Sequence, residues 1–96
     1  MPRSQFYANK AHQFDLFSRI EDNSDLLDLL AAATTDEKRA RFITALLKLI
    51  PDAFPGHENS TAEKLFRMLG SWVGKHQAEV QSQFPGICKA FELRRK

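Results

Sequence analysis

The side chains best suited to metal coordination or covalent chemistry are His12, His57, His76 and the single cysteine, Cys88. A zinc centre needs three or four ligands at short spacings such as Cys-x-x-Cys, His-x-x-x-His or His-Glu-x-x-His. None of these occurs, so the sequence predicts no metal site. Nucleophilic catalysis needs a nucleophile, a base and an orienting group in contact. Cys88 and His76 fall on different expected helices, and no local motif surrounds the cysteine. Glu79 lies at the edge of an apolar stripe, whereas the other carboxylates gather mostly at helix starts. There the free N–H groups explain them. The expectation is a chain that is not an enzyme and carries no cofactor.

The glycines are Gly56, Gly70, Gly74 and Gly86, and they match neither the P-loop nor the dinucleotide pattern. Gly70-x-x-x-Gly74 shares its letters with a membrane-dimer motif. Arg67, Lys75 and His76 beside it exclude a membrane helix.

Charge offers two recognition chemistries. Lys64, Arg67 and Lys75 project to the side of helix four opposite its apolar stripe, with Ser71 between them. Arg41 and Lys48 lie on the outer side of helix three, and Arg94, Arg95 and Lys96 end the chain. Such a stripe can track phosphates. Against it, residues 21–37 hold Glu21, Asp22, Asp25, Asp28, Asp36 and Glu37 with no base, and the turn between helices two and three has no glycine. The acids are themselves candidates for a basic groove on a partner, with Asp25 and Asp28 pointing outward. Capping and the helix dipole account for several of them.

Aromatic side chains are the usual anchors of a protein interface. There are eight Phe, one Tyr and one Trp. Phe6, Tyr7, Phe14 and Phe17 crowd one helix whose apolar side is wider than a simple amphipathic stripe. Phe54 lies in a proline-bounded loop and Phe84 precedes Pro85. Both are candidates for exposure, against the general rule that an aromatic at helical spacing is core.

The elements that must hold these residues are all helical. Helix one covers about residues 4–20, with His12 on its polar side, and helix two covers 24–33, capped by Asn23 or Ser24. Helix three covers 36–50, opened by a Thr34/Glu37 capping box and closed by Pro51. Helix four opens on Ser60/Glu63. Ala62, Leu65, Phe66, Met68, Leu69, Trp72, Val73, His76 and Val80 share an arc of about 160°, so one helix is expected over 60–83. Gly70 and Gly74 lie on its flank, where close approach of another helix would explain them. A last helix covers 86–94. No segment alternates as a strand does.

Composition agrees, with 43% hydrophobic residues, 27% charged residues and a net charge of +2. A lone cysteine cannot form an internal disulfide, which points to a reducing, cytoplasmic setting. The first twenty residues hold Arg3, Lys10, Asp15 and Arg19 and show no signal-peptide core. The longest apolar run, 29–33, is far short of the ~20 residues that span a membrane. The sequence therefore predicts a compact all-α single domain over residues 1–96, with four to five helices. It also predicts a non-catalytic protein-binding module of adaptor or inhibitor type, using Phe6, Tyr7, Phe14, Phe17, Asp25 and Asp28. Helix one or the Gly70/Gly74 flank would be the seam of a homodimer. The alternative is a nucleic-acid-binding regulator using Lys64, Arg67, Lys75, Arg94, Arg95 and Lys96.

Overall fold

Asn9 fixes the start of the first helix. Its backbone is extended, and its side chain accepts a hydrogen bond from the His12 N–H at 2.8 Å, satisfying one of the donors a helix start leaves free. A computed structural model of the chain describes residues 9–94. Residues 4–8 of the expected first helix, Phe6 and Tyr7 among them, lie outside the described residues, as do Arg95, Lys96 and the side chain of Arg94.

The described elements are α1 (Lys10–Glu21), α2 (Ser24–Ala31), α3 (Asp36–Leu49), α4 (Ala62–Lys75), α5 (Gln77–Gln83) and α6 (Pro85–Arg94). The architecture is all-helical, as expected, but with six helices in place of four to five. The extra one arises because the helix expected over 60–83 is broken at His76 (φ −117°, ψ 37°). The His76 N–H reaches the Trp72 and Val73 carbonyls only at 3.3 Å, while its Nε2–H donates to Gln13 Oε1 of α1 at 2.9 Å. The side chain is thus held by another helix where the backbone leaves its ladder. Gly74, two residues earlier, weakens the helix there. Val80 stays buried after the break, which is why the apolar stripe reads as continuous.

Two caps sit one residue later than the sequence suggests. Thr35 accepts from the Lys38 N–H and Thr61 from the Lys64 N–H, both at 3.2 Å. Glu37 and Glu63 then fall one position short of closing a capping box, and they pair instead with Arg41 and Arg67. α2 also ends at Ala31, two residues before its expected end. Asn23 caps it by accepting from the Leu26 N–H.

α6 has a cap delivered from far along the chain. Pro85 occupies its first position, where a missing N–H costs nothing. The Glu21 carboxylate, at the end of α1, accepts from the Gly86 N–H at 2.7 Å and the Ile87 N–H at 2.9 Å. A Cβ on residue 86 would stand 2.9 Å from Glu21 Oε2 and 3.0 Å from a Leu27 methyl, so glycine is what permits this approach.

α6 packs chiefly on α2, and α3 packs on α4 and α2. Between them lies one core, including Leu16, Phe17, Ile20, Leu26, Leu30, Phe42, Leu46, Leu69, Val80 and Ile87. Rings pack at three places within and around it. Phe14, Phe17 and Phe84 meet near His76, Phe42 and Phe91 meet Phe66, and Phe54 and His12 flank Trp72. The radius of gyration, 12.6 Å, is near the ~12 Å of a compact chain this long.

Candidate functional site

Several sequence-predicted anchors belong to the core. Phe17 is fully buried (0% exposed), Phe54 is 3% exposed and Phe84 7%. These three correct the expectation of an aromatic surface. Phe17 and Phe84 stack edge to face, and the proline-bounded loop folds Phe54 back onto Trp72 at 5.4 Å between ring centroids. Phe14 is half-buried. It packs edge-on against His76 and Phe84, with Lys10 Nζ 5.4 Å above its ring.

His12 departs from its expected polar side. It is partly buried, and its Nε2–H donates to the Ala53 carbonyl at 2.9 Å, tying α1 to the loop before α4. His76 Nδ1 lies 3.9 Å from Glu79 Oε1, and Glu79 Oε2 pairs with Lys10 at 2.9 Å. This polar clasp joins α1 to α5. Cys88 is not part of it, because it lines a groove that neither His76 nor Glu79 enters. Among the described residues no group of three or more His, Cys, Asp or Glu side chains is placed to hold a metal ion.

The acidic run divides by role. Glu21 caps α6, while Asp36 pairs with Arg39 and Glu37 with Arg41. Asp22, Asp25 and Asp28 are exposed and make no ion pair among the described residues. The cations of α4 divide similarly. Lys64 and Lys75 are exposed without an ion pair among the described residues, and Arg67 stands 3.7 Å from Glu63. Thr61, Lys64, Arg67, Met68 and Ser71 line a broad, shallow depression.

The better-formed concavity lies between α4, α5 and α6, with a volume of about 150 Å³. Its floor is apolar and half-buried, formed by Val73, Phe91 and Cys88 beside Gly70 and Gly74. Its edges carry Gln77 and Gln81 on α5 and Glu92 on α6. The break at His76 and the turn at Phe84 fold α5 and α6 around this hollow. Phe91 meets Gly70, where an added Cβ would touch the ring at an ordinary 3.8 Å. At Gly74 an added Cβ would meet nothing within 4 Å. Close helix approach therefore explains neither glycine's lack of a side chain, and Gly74 faces open space. The sequence marks this flank through its two glycines. Gln77, Gln81 and Glu92 carry no signal until α5 and α6 are placed.

Comparison with family models, curated proteins and solved structures finds no match.

Proposed function

We propose that this chain is a small non-catalytic protein-binding module, of adaptor or inhibitor type, working in a reducing cytoplasmic setting. It acts by receiving part of a partner in the α4–α5–α6 groove. The observation that carries the reading is the groove's construction: a half-buried apolar floor with a polar amide and carboxylate edge, the usual anatomy of a protein-recognition patch. Asp25 and Asp28, exposed on α2, contribute orientation through charge. The anchoring assigned to Phe14 and Phe17 passes to the groove, because those rings hold helices together.

The test is Gly74→Trp, which fills the hollow from a position with free space around it. Immobilised wild-type protein should retain a partner from its native source, and the variant should lose it while keeping the wild-type helical signal and melting temperature. A partner retained equally by both proteins removes the groove from the reading.

A second reading rests on Lys64 and Lys75, which make no ion pair among the described residues and share a side of α4 with Arg67, an arrangement that suits a phosphate backbone. It predicts binding to any duplex at low salt that weakens steeply as salt rises. Absence of duplex binding at low salt eliminates it.

A further inference from the structure

We infer that the break at His76 is a hinge through which two copies of this chain exchange α5 and α6. The product is a domain-swapped dimer in which α4 and α5 run on as one helix. Three observations carry this.

The first is that nothing local makes the break. Residues 74–77 contain no proline, and Gly74 does not have positive φ, which among the described glycines belongs to Gly56 alone. α5 opens without a side-chain cap, so the N–H groups of Gln77, Ala78 and Glu79 have no acceptor within that helix. The apolar stripe of α4 also continues through the break. Leu65, Leu69, Trp72, His76 and Val80 fall on one side at helical spacing. In one helix over 62–83 the three N–H groups would meet the Val73, Gly74 and Lys75 carbonyls.

The second is that the contacts holding the bent form come from far along the chain. His76 Nε2–H donates to Gln13 Oε1 at 2.9 Å, and Lys10 Nζ pairs with Glu79 at 2.9 Å. Beyond the break, Phe84 stacks on Phe14 and Phe17, Glu21 caps Gly86 and Ile87, and α6 packs chiefly on α2. All these partners lie on α1 and α2. A second copy offers the same α1 and α2 surfaces, so α5 and α6 of one chain can seat on the other by the same contacts.

The third is that the two forms differ chiefly at the hinge. The monomer keeps the Gln13–His76 bond, whereas the dimer closes the helical ladder. Ile87 and Ala90 belong to the single core, so exchange requires that core to open. The dimer therefore forms on refolding at high concentration and reverts slowly. Each α4–α5–α6 groove is then shared, with Gly70 and Val73 from one chain facing Cys88 and Phe91 from the other.

The experiment refolds the full chain from urea at micromolar and at millimolar concentration, with reductant present so that Cys88 cannot link two chains. Mass is read by light scattering after size exclusion. Millimolar refolding should yield a dimer that persists on dilution. His76→Ala removes the Gln13 bond and inserts the best helix former, so it should raise the association constant at least about tenfold. Proline is tolerated at the first position of α5 but not inside a continuous helix. Gln77→Pro should therefore lower the association constant more than about a hundredfold. An equal mixture of isotope-labelled and unlabelled chains, refolded together, tests the exchange directly. Isotope-filtered spectra of its dimer should place the Leu27 methyl of one chain against Gly86 of the other, two groups in close contact within the monomer. A chain that stays monomeric throughout, His76→Ala included, overturns the inference. So does a dimer without that interchain contact, or one that Gln77→Pro leaves intact. If Gln77→Pro fails to fold, the mixed-label spectrum decides alone.

Discussion

Glu21 shows how a single side chain can join parts of the chain 65 residues apart. Its two oxygens accept from the Gly86 and Ile87 N–H groups at 2.7 and 2.9 Å. These are orphan donors at the start of α6, and Phe84, just before that helix, has no side-chain acceptor to offer them. The bonds are charge-assisted and partly buried, so each is stronger than a neutral surface bond. Removing the acceptor leaves two amides without their partner, at a typical cost of about 1–3 kcal/mol. Glu21→Ala should lower stability by that amount in urea titrations, and Glu21→Gln by less, because one amide oxygen still accepts. Gly86→Ala tests the same contact from the other side. Its methyl would lie 2.9–3.1 Å from the Glu21 oxygens and a Leu27 methyl, so it should destabilise the fold even though alanine is the better helix former. A neutral or stabilising Gly86→Ala would show that Glu21 swings away at no cost, and that the cap is incidental.

At the scale of elements, the helix starts give a sharper discrimination than helix propensity. Thr34–Thr35 and Ser60–Thr61 each place two hydroxyls side by side, and only the second of each pair caps. Thr35→Ala and Thr61→Ala should each lose about 1 kcal/mol. Thr34→Ala and Ser60→Ala should stay within about 0.5 kcal/mol of wild type, as surface changes away from special contacts do. Equal losses at both members of a pair would return the helix starts to where the sequence puts them. This ambiguity defines what the sequence carries. Apolar spacing locates the helices and most of the core, because stripes such as Phe42, Ile43, Leu46 and Leu65, Phe66, Leu69 project to one side at helical period. It does not locate the break at His76, since the bond that holds it comes from Gln13, 63 residues away. Nor does it show that Phe54 and Phe84 are buried, because loop aromatics find their partners only when the loop folds back. The groove is half legible for the same reason. Two oddly placed glycines mark its floor, while the edges exist only once α5 turns away from α4 and α6 returns.

At the scale of the whole molecule, the question is whether α6 and the groove it forms belong to the same cooperative unit as the rest. α6 packs on α2, α1 and α5, and Ile87 and Ala90 are buried in the single core. Losing α6 would expose the Phe84 and Ile87 side chains and strip cover from α2. Burying one such apolar side chain contributes about 1.5–3 kcal/mol, and a domain this size has only about 5–15 kcal/mol of net stability. Fraying of α6 alone is therefore costly enough that the chain should unfold as one. The lone tryptophan gives a clean reporter, because Trp72 packs on Phe54 and His12 and makes none of the contacts that cap α6. In urea, Trp72 fluorescence and the helical circular-dichroism signal should trace coincident transitions in wild type. Glu21→Ala should shift both to a lower midpoint with an unchanged slope. If helical signal is lost before the fluorescence changes, α6 unfolds on its own. The groove would then be an assembly of separable parts, and a ligand bound there would order α6 as well as fill a preformed hollow.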